Sequence, residues 1–283
     1  FQPAINLKSD RTFQGFNGGD TRHKLRWLYR DIESKIYKNI FKITGNQKLF
    51  VFTTINTLYL FLSFLFTFLT ISFYKKLYST EVLIISGFFY LLLISLSIST
   101  NIQSIYTMPE LFFVSLGIYF AAISNIIFFL IPLFFAVINR ESGIALSFVY
   151  LILNYKNKHS YFIPIIAVLM LLFVNFDLIT NKNTYSLSTY FPIKEAYYDA
   201  IISNSQMFVF SLYLLNFFII FYFIYIFKKI EYKFFEFSLI SLIYFLIANF
   251  GTDMTNVYSL ILLAPSLTFL FVMSFSNIKE INN

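Results

Sequence analysis

Long apolar runs alternate with short polar gaps along most of this chain. The runs cover 49–74, 82–99, 111–138, 142–153, 162–178, 206–227, 236–250 and 257–275. Runs such as 49–74 and 206–227 exceed the roughly 20 residues with which a helix crosses the hydrocarbon of a bilayer. The pattern predicts an all-α fold, a polytopic transmembrane helix bundle over residues 49–275 with about 7–9 crossings.

The middle of the chain allows two interpretations. Run 111–138 contains Asn125 and Pro132, which disfavour one uninterrupted helix. Three short helices at about 111–123, 126–138 and 142–153 would produce an odd number of crossings, and so would a single crossing with a re-entrant segment. Both interpretations predict a cavity, because irregular backbone at membrane depth is tolerated where it lines a cavity.

Residues 1–48 form a separate polar segment that contains ten Lys and Arg against four carboxylates, and hence most of the net charge of +7. From about residue 21 to residue 43, apolar side chains recur every three or four positions with cations between them. Trp27 and Tyr29 suit a headgroup layer. The segment is typical of a loop followed by an amphipathic helix that lies in the membrane interface.

Composition excludes a soluble globular domain. Hydrophobic residues make up 58% of the chain and charged residues 12%, whereas soluble domains carry about a quarter charged residues. The absence of Cys removes disulfides, thiolate chemistry and Cys-ligated metals, and two His make a His-based metal site unexpected. We therefore predict no metal site and no cofactor, while a divalent ion stays open. The basic segment resembles a membrane-binding helix too closely to favour nucleic acid.

Charges are sorted between the polar gaps. Every second gap is rich in lysine, and most carboxylates fall in the other gaps; the lysine gaps hold Lys75, Lys76, Lys156, Lys158, Lys228, Lys229 and Lys233, and the others Glu110, Arg140, Glu141, Asp177 and Asp253. Because positively charged loops stay on the cytoplasmic side, the carboxylate-bearing gaps are predicted to face outward. Residues 276–283 become a cytoplasmic tail of a multi-pass protein, most simply of a bacterial plasma membrane.

The same count places residues 1–48 outside, against their own positive charge. An upstream transmembrane helix that is missing here would explain this placement, and a chain that begins at Phe1 rather than Met is expected to be a fragment or a processed product. A basic helix bound to the inner leaflet is the competing interpretation.

Asp20 is the first candidate for chemistry. It follows Gly18 and Gly19, and cations that include Arg22, Lys24 and Arg26 follow it. A carboxylate on a glycine turn beside cations suits a general base that activates a hydroxyl, while Arg and Lys hold phosphate oxygens. The alternative is a solvated turn before a helix N-cap.

Arg140 and Glu141 are the second candidate, because ionisable residues flanked this closely by apolar sequence are costly and usually functional. Arg140 would bind a lipid phosphate, and Glu141 would orient it or act as a second carboxylate. The alternative is a self-neutralising pair at an interfacial helix start. Glu110 is predicted at the start of a helix, as a partner of the helix dipole and a candidate substrate contact. Interfacial position and turn chemistry account for Asp177 and Asp253.

The block from Glu110 to Asn154, with Asn139-Arg140-Glu141-Ser142-Gly143, resembles an Arg-Glu-(Ser/Thr) block of bacterial multi-spanning proteins grouped with the GT-C glycosyltransferases. Asp20, in a loop before a juxtamembrane helix, is similar to the catalytic Asp of their first extracytoplasmic loop. The resemblance implies transfer of a sugar from a polyprenyl-phosphate donor at the outer face. No paired Asp-x-Asp is present in this chain.

The sequence thus predicts a membrane glycosyltransferase whose partners are a lipid-phosphate sugar donor and membrane lipids. Asp20 would be the base, Arg140 the phosphate ligand and Glu141 a supporting carboxylate. A transporter or flippase of lipid-linked saccharides would also need a cavity with few charges, although it would usually show internal repeats. A non-catalytic subunit of a membrane complex would fit the composition as well.

Overall fold

A computed structural model describes residues 48–75, 80–98, 107–139, 141–174, 232–251 and 261–281, together with the isolated positions 39 and 42. These residues are helical apart from short turns, so the predicted all-α class is confirmed for the described part of the chain. The helices are α1 (Lys48–Lys75), α2 (Thr80–Ile98), α3 (Thr107–Ala122), α4 (Ile126–Asn139), α5 (Ala145–Leu153), α6 (Ile163–Val174), α7 (Tyr232–Gly251) and α8 (Ala264–Ile281). Short 3₁₀ helices cover Glu141–Ile144 and Lys158–Phe162.

Most predicted runs coincide with these helices to within a few residues. Helix α7 begins before the predicted 236, and α8 continues to Ile281, past the predicted limit of 275 and into the predicted tail. The amphipathic helix predicted at 21–43, the loop at 179–205 and the run at 206–227 lie outside the described residues.

Three short helices, α3, α4 and α5, occupy the middle of the chain, as the first interpretation predicted. The break between α3 and α4 is made by Ser124, whose φ is +58°, and by Asn125, whose Oδ1 accepts the Phe128 N–H at 3.2 Å. A left-handed residue after a helix and a side-chain cap before the next are the usual means of ending one helix and starting another. Pro132, by contrast, lies inside α4 without ending it.

The chain divides into two compact units. The first contains residues 1–66 and 101–185, and the second contains residues 67–100 and 186–283. In the first unit α3 packs against α4 and α5, and α6 packs against α4 and α5. The Ser63 hydroxyl of α1 lies 2.5 Å from the Ser115 hydroxyl of α3. The surfaces of these helices are otherwise apolar, and apolar packing alone would allow several relative positions. A hydroxyl pair between the helices favours one of them.

Helices α3, α4 and α5 alternate in direction, and contacts fix both of their ends. At one end Asn154, which follows α5, donates from Nδ2 to the Ala121 carbonyl of α3 at 2.8 Å. At the other end Ser142 of the 3₁₀ helix after α4 donates from its hydroxyl to Glu110 of α3. The polar gap at 139–144 and the start of α3 are therefore neighbours.

In the second unit α8 packs against α2 and α7. The rings of Phe237 and Phe269 stack with centroids 3.6 Å apart, and those of Phe89 and Phe271 stack at 3.8 Å. The Ser241 hydroxyl donates to that of Ser266 at 2.8 Å. These contacts repeat the combination found in the first unit, a broad apolar interface with one hydroxyl pair.

Candidate functional site: a buried polar cluster at one end of the first unit

Glu110 is a fully buried carboxyl group in the first unit. It lies in the first turn of α3, directly after Pro109, and none of its surface is exposed. Proline in a first turn loses no helical hydrogen bond, and a carboxyl group there interacts favourably with the helix dipole. The predicted position at a helix start is confirmed, but complete burial was not predicted.

Ser142 reaches Glu110 because the chain turns sharply after α4. The 3₁₀ helix Glu141–Ile144 packs back on the end of α4, and Gly143 lies so close to it that a Cβ atom would overlap the Ala136 carbonyl. With Gly143 in that place, the Ser142 hydroxyl donates to Oε1 of Glu110. A buried carboxyl oxygen thereby gains a hydrogen bond that offsets part of the cost of its burial.

Two further polar side chains are buried at this end of the unit. Thr107 lies one turn before Glu110 on the same side of α3 and is 2% exposed, and Asn139 ends α4 and is 0% exposed. Within the described residues the Thr107 hydroxyl has no hydrogen-bond partner. We call Thr107, Glu110, Asn139 and Ser142 the Glu110 cluster. Hydrogen bonds are stronger in a buried, apolar environment than in water, so a buried polar cluster of this kind can bind a polar group strongly.

The structure describes a minority of the residues that the sequence predicted to be catalytic or substrate-binding. Glu110 is placed fully, and Glu141 is placed by its backbone in the 3₁₀ helix. Asp20, Arg22, Lys24, Arg26 and Arg140 lie outside the described residues, as do Asp177 and Asp253. The convergence of Asp20 with the 139–142 segment therefore stays a prediction. What the structure does bring together is Glu110 and the segment that flanks Arg140.

Sequence reasoning missed two features. The first is Ser142, which lies in the Asn139–Gly143 motif. The sequence predicts no role for it, because nothing in a sequence links it to a residue 32 positions away. The second is Glu236 in the second unit. It is an ionisable residue at the start of an apolar run, and such a position indicates a functional or paired side chain. It is 2% exposed and bonds the Lys233 ammonium at 2.8 Å. That ammonium also lies 5.2 Å from the centroid of the Tyr74 ring.

In the described part of the chain no three His or carboxylate side chains come together as metal ligands. The chain matches no family model, no curated protein and no solved structure.

Replacing Ser142 by Ala should destabilise the protein because Glu110 would lose a hydrogen bond while remaining buried. We expect the free energy of unfolding to fall by about 1–2 kcal/mol. Ser147→Ala is the control, since Ser147 is buried more fully than the half-buried Ser142 but donates to the nearby Ile144 carbonyl rather than to a distant helix; it should cost about 0.5 kcal/mol. Denaturant unfolding in detergent micelles measures both, and equal losses would mean that the contact with Glu110 contributes nothing special.

Proposed function

We propose that this chain is a polytopic α-helical membrane protein. Helix α1 supports this proposal because its polarity is the reverse of that of a soluble helix. Its described buried side chains are Ser63, Thr67, Thr70, Ile71 and Ser72, of which Ile71 alone is apolar, whereas Leu58, Phe61 and Leu65 are exposed. In lipid, small polar residues belong between helices and apolar side chains face outward.

Helices α2 and α6 also carry exposed apolar side chains. On α2 the exposed side chains include Phe88, which is 70% exposed, while Ser86 is buried. On α6 the side chain of Phe173 is 83% exposed. Of the described helices, the segment Thr54–Tyr74 is long and apolar enough to cross a membrane, and the remaining apolar segments found are shorter. An exposed apolar surface of this extent on a soluble protein would drive aggregation.

The further proposal is that the protein is a glycosyltransferase that takes a sugar from a polyprenyl-phosphate donor at the extracytoplasmic face. The observation that carries it is the Glu110 cluster, a buried carboxyl group and its hydroxyl partner beside the segment that contains Arg140. A lipid phosphate needs a guanidinium or several donors in a place that water does not fill. Binding of such a phosphate would explain why a bundle of otherwise apolar helices carries a buried polar cluster at one end.

In this mechanism Asp20 removes the proton from the acceptor hydroxyl, whose oxygen bonds the anomeric carbon of the sugar as the bond from that carbon to the phosphate oxygen breaks. Arg140 binds the donor phosphate and holds the polyprenyl phosphate as it leaves. Glu141 is a supporting carboxylate. Glu110, held by Ser142, positions the polar end of the donor. Arg22, Lys24 and Arg26 raise the local concentration of the anionic donor through their field.

The direct test is an assay of sugar transfer. The full chain, reconstituted into vesicles, would be given a polyprenyl-phosphate donor with a labelled sugar, together with membrane-extract acceptors. Appearance of label on an acceptor that no longer carries the polyprenyl phosphate supports the proposal. Label that stays lipid-linked but changes leaflet identifies a flippase instead, and label that does neither points to a non-catalytic subunit.

Sidedness has its own test, because the chain contains no Cys. Single cysteines at Ser79, His159 and Lys229 should resist an impermeant thiol reagent added outside intact cells, whereas those at Ser188 and Thr252 should react. His159 is suitable because its side chain is exposed. Permeabilised cells serve as the control and should label all five. Labelling of His159 together with Ser188 in intact cells would contradict the outward placement of the Glu110 cluster.

A further inference from the structure

We propose that the first unit fits a bilayer thinner than usual, so that headgroup phosphates reach the Glu110 cluster in thin lipid and acyl chains cover the cluster in thicker lipid. The inference rests on the proposed membrane location but not on the proposed sugar transfer. It identifies the surroundings of the cluster as phospholipid and names the depth at which the cluster lies.

The lengths of the helices carry the inference. Helix α3 has 16 residues and α4 has 14, so at 1.5 Å per residue they are about 24 Å and about 21 Å long. The 3₁₀ helix of 4 residues and α5 of 9 residues together rise about 21 Å. Hydrocarbon in a typical bilayer is about 30 Å thick. Each segment is therefore shorter by roughly 6–9 Å.

These short lengths cannot be added together, because the segments run side by side. Ser142 bonds Glu110 at one end, and Asn154 bonds the Ala121 carbonyl at the other. Any tilt of the unit would shorten its projection on the membrane normal further. The thickness of this part of the unit is thus set by the shared length of three helices.

The end opposite the Glu110 cluster has a fixed place in the headgroup layer. The turn between α5 and α6 exposes Lys156, Lys158 and His159, and Tyr155 and Tyr161 are exposed beside them. Exposed cations with flanking tyrosines are the residues that hold a helix end at a membrane interface. The turn is also well ordered by hydrogen bonds, since the Asn157 side chain accepts the His159 N–H at 3.2 Å. The shortfall in length must consequently fall at the Glu110 end.

Lipid is the occupant that fits the outer surface of the unit. Ile127, Ile131 and Phe134 are exposed along one side of α4, 74%, 50% and 37% respectively. Their spacing of four and three residues makes a continuous apolar stripe. Beyond Phe134 the last residues of α4, from Ala136 to Asn139, are buried. Acyl chains therefore cover α4 up to the point where the polar cluster begins, and a leaflet as thin as the unit places phosphates at that level.

The experiment varies bilayer thickness without requiring activity. The full chain with a single cysteine at Ile144, on the 3₁₀ helix of the Glu110 end, would be reconstituted in phosphatidylcholine with acyl chains of about 14 to about 22 carbons. Its reaction rate with a small water-soluble maleimide should fall tenfold or more as the chains lengthen and cover this end. A cysteine at His159 is the matched control and should react at one rate throughout.

Two results would overturn the inference. An Ile144 cysteine that reacts at one rate in every lipid shows that the Glu110 end is not recessed, and parallel falls at both positions show that the unit is centred instead. Extraction of the protein by alkaline carbonate would reject the membrane location itself, which distinguishes that failure. Thermal unfolding of the parent chain gives an independent measurement, because its midpoint should be highest in the thinnest lipid and a maximum in thicker lipid contradicts the proposal.

Discussion

Asp20→Asn should lower the rate of sugar transfer about 10²- to 10⁴-fold, the usual contribution of a general base. The amide keeps the shape of the side chain but cannot accept the proton of the acceptor hydroxyl. Initial rates with saturating labelled donor measure the effect, and the amount of membrane-inserted protein should stay at the parent level. Inserted but inactive protein is the result that separates catalysis from folding.

Asp10→Asn is the matched control, since Asp10 lies in the same polar segment but away from the glycine turn that precedes Asp20. It should retain the parent rate. Should the Asp20 variant also retain that rate while the parent transfers sugar, the base would have to be another carboxylate, and Glu141 would be the next candidate. A parent chain without transfer activity would instead remove the enzyme proposal.

Gly143→Ala should cost about 3 kcal/mol or more of stability, because its Cβ would meet backbone rather than a movable side chain. The Cβ atom would overlap the Ala136 carbonyl and lie 2.5 Å from the Val137 nitrogen. Relief requires the 3₁₀ helix to move away from α4, and this would also separate Ser142 from Glu110. Denaturant unfolding in detergent gives the loss, and a reduced thermal midpoint should accompany it.

Gly117→Ala provides the comparison because the new methyl group meets a side chain there. Its Cβ would lie 2.6 Å and 2.7 Å from the two terminal carbons of Leu146, and this buried side chain has to shift to make room. Alanine is the better helix former by about 1 kcal/mol, and Gly117 lies inside α3. A loss of stability smaller than that at Gly143 is expected. Similar losses at both glycines would mean that the contact between the 3₁₀ helix and α4 is not special.

Local signals were sufficient for the helices. A polar residue that can cap a helix and tolerates turn conformations interrupted the apolar run at Asn125, and the structure ends α3 and starts α4 at that point. Pro132 was a weaker signal, since α4 passes through it. Capping and turn preferences act within a few residues, so they can be recognised in the sequence.

The candidate site was predicted less completely. The sequence identified Glu110 and the Arg140–Glu141 segment separately, and for Glu110 it predicted only a helix start and a partner of the helix dipole. The contact between Glu110 and Ser142 joins residues 32 positions apart, and the tight turn at Gly143 brings Ser142 to that place. Glu236 is a similar case, because its burial beside Lys233 and Tyr74 depends on the packing of helices distant in the chain.

By itself, the sequence determined that this chain is helical, apolar and sorted in charge, because these properties follow from composition and from spacing within one helix. Only the tertiary structure decided that α3, α4 and α5 run side by side with common ends and that Glu110 meets Ser142 inside. The physical reason is that the described helices are apolar on nearly every side. Hydrophobicity therefore cannot select their neighbours, and close backbone contacts at glycine and a few polar pairs make that selection.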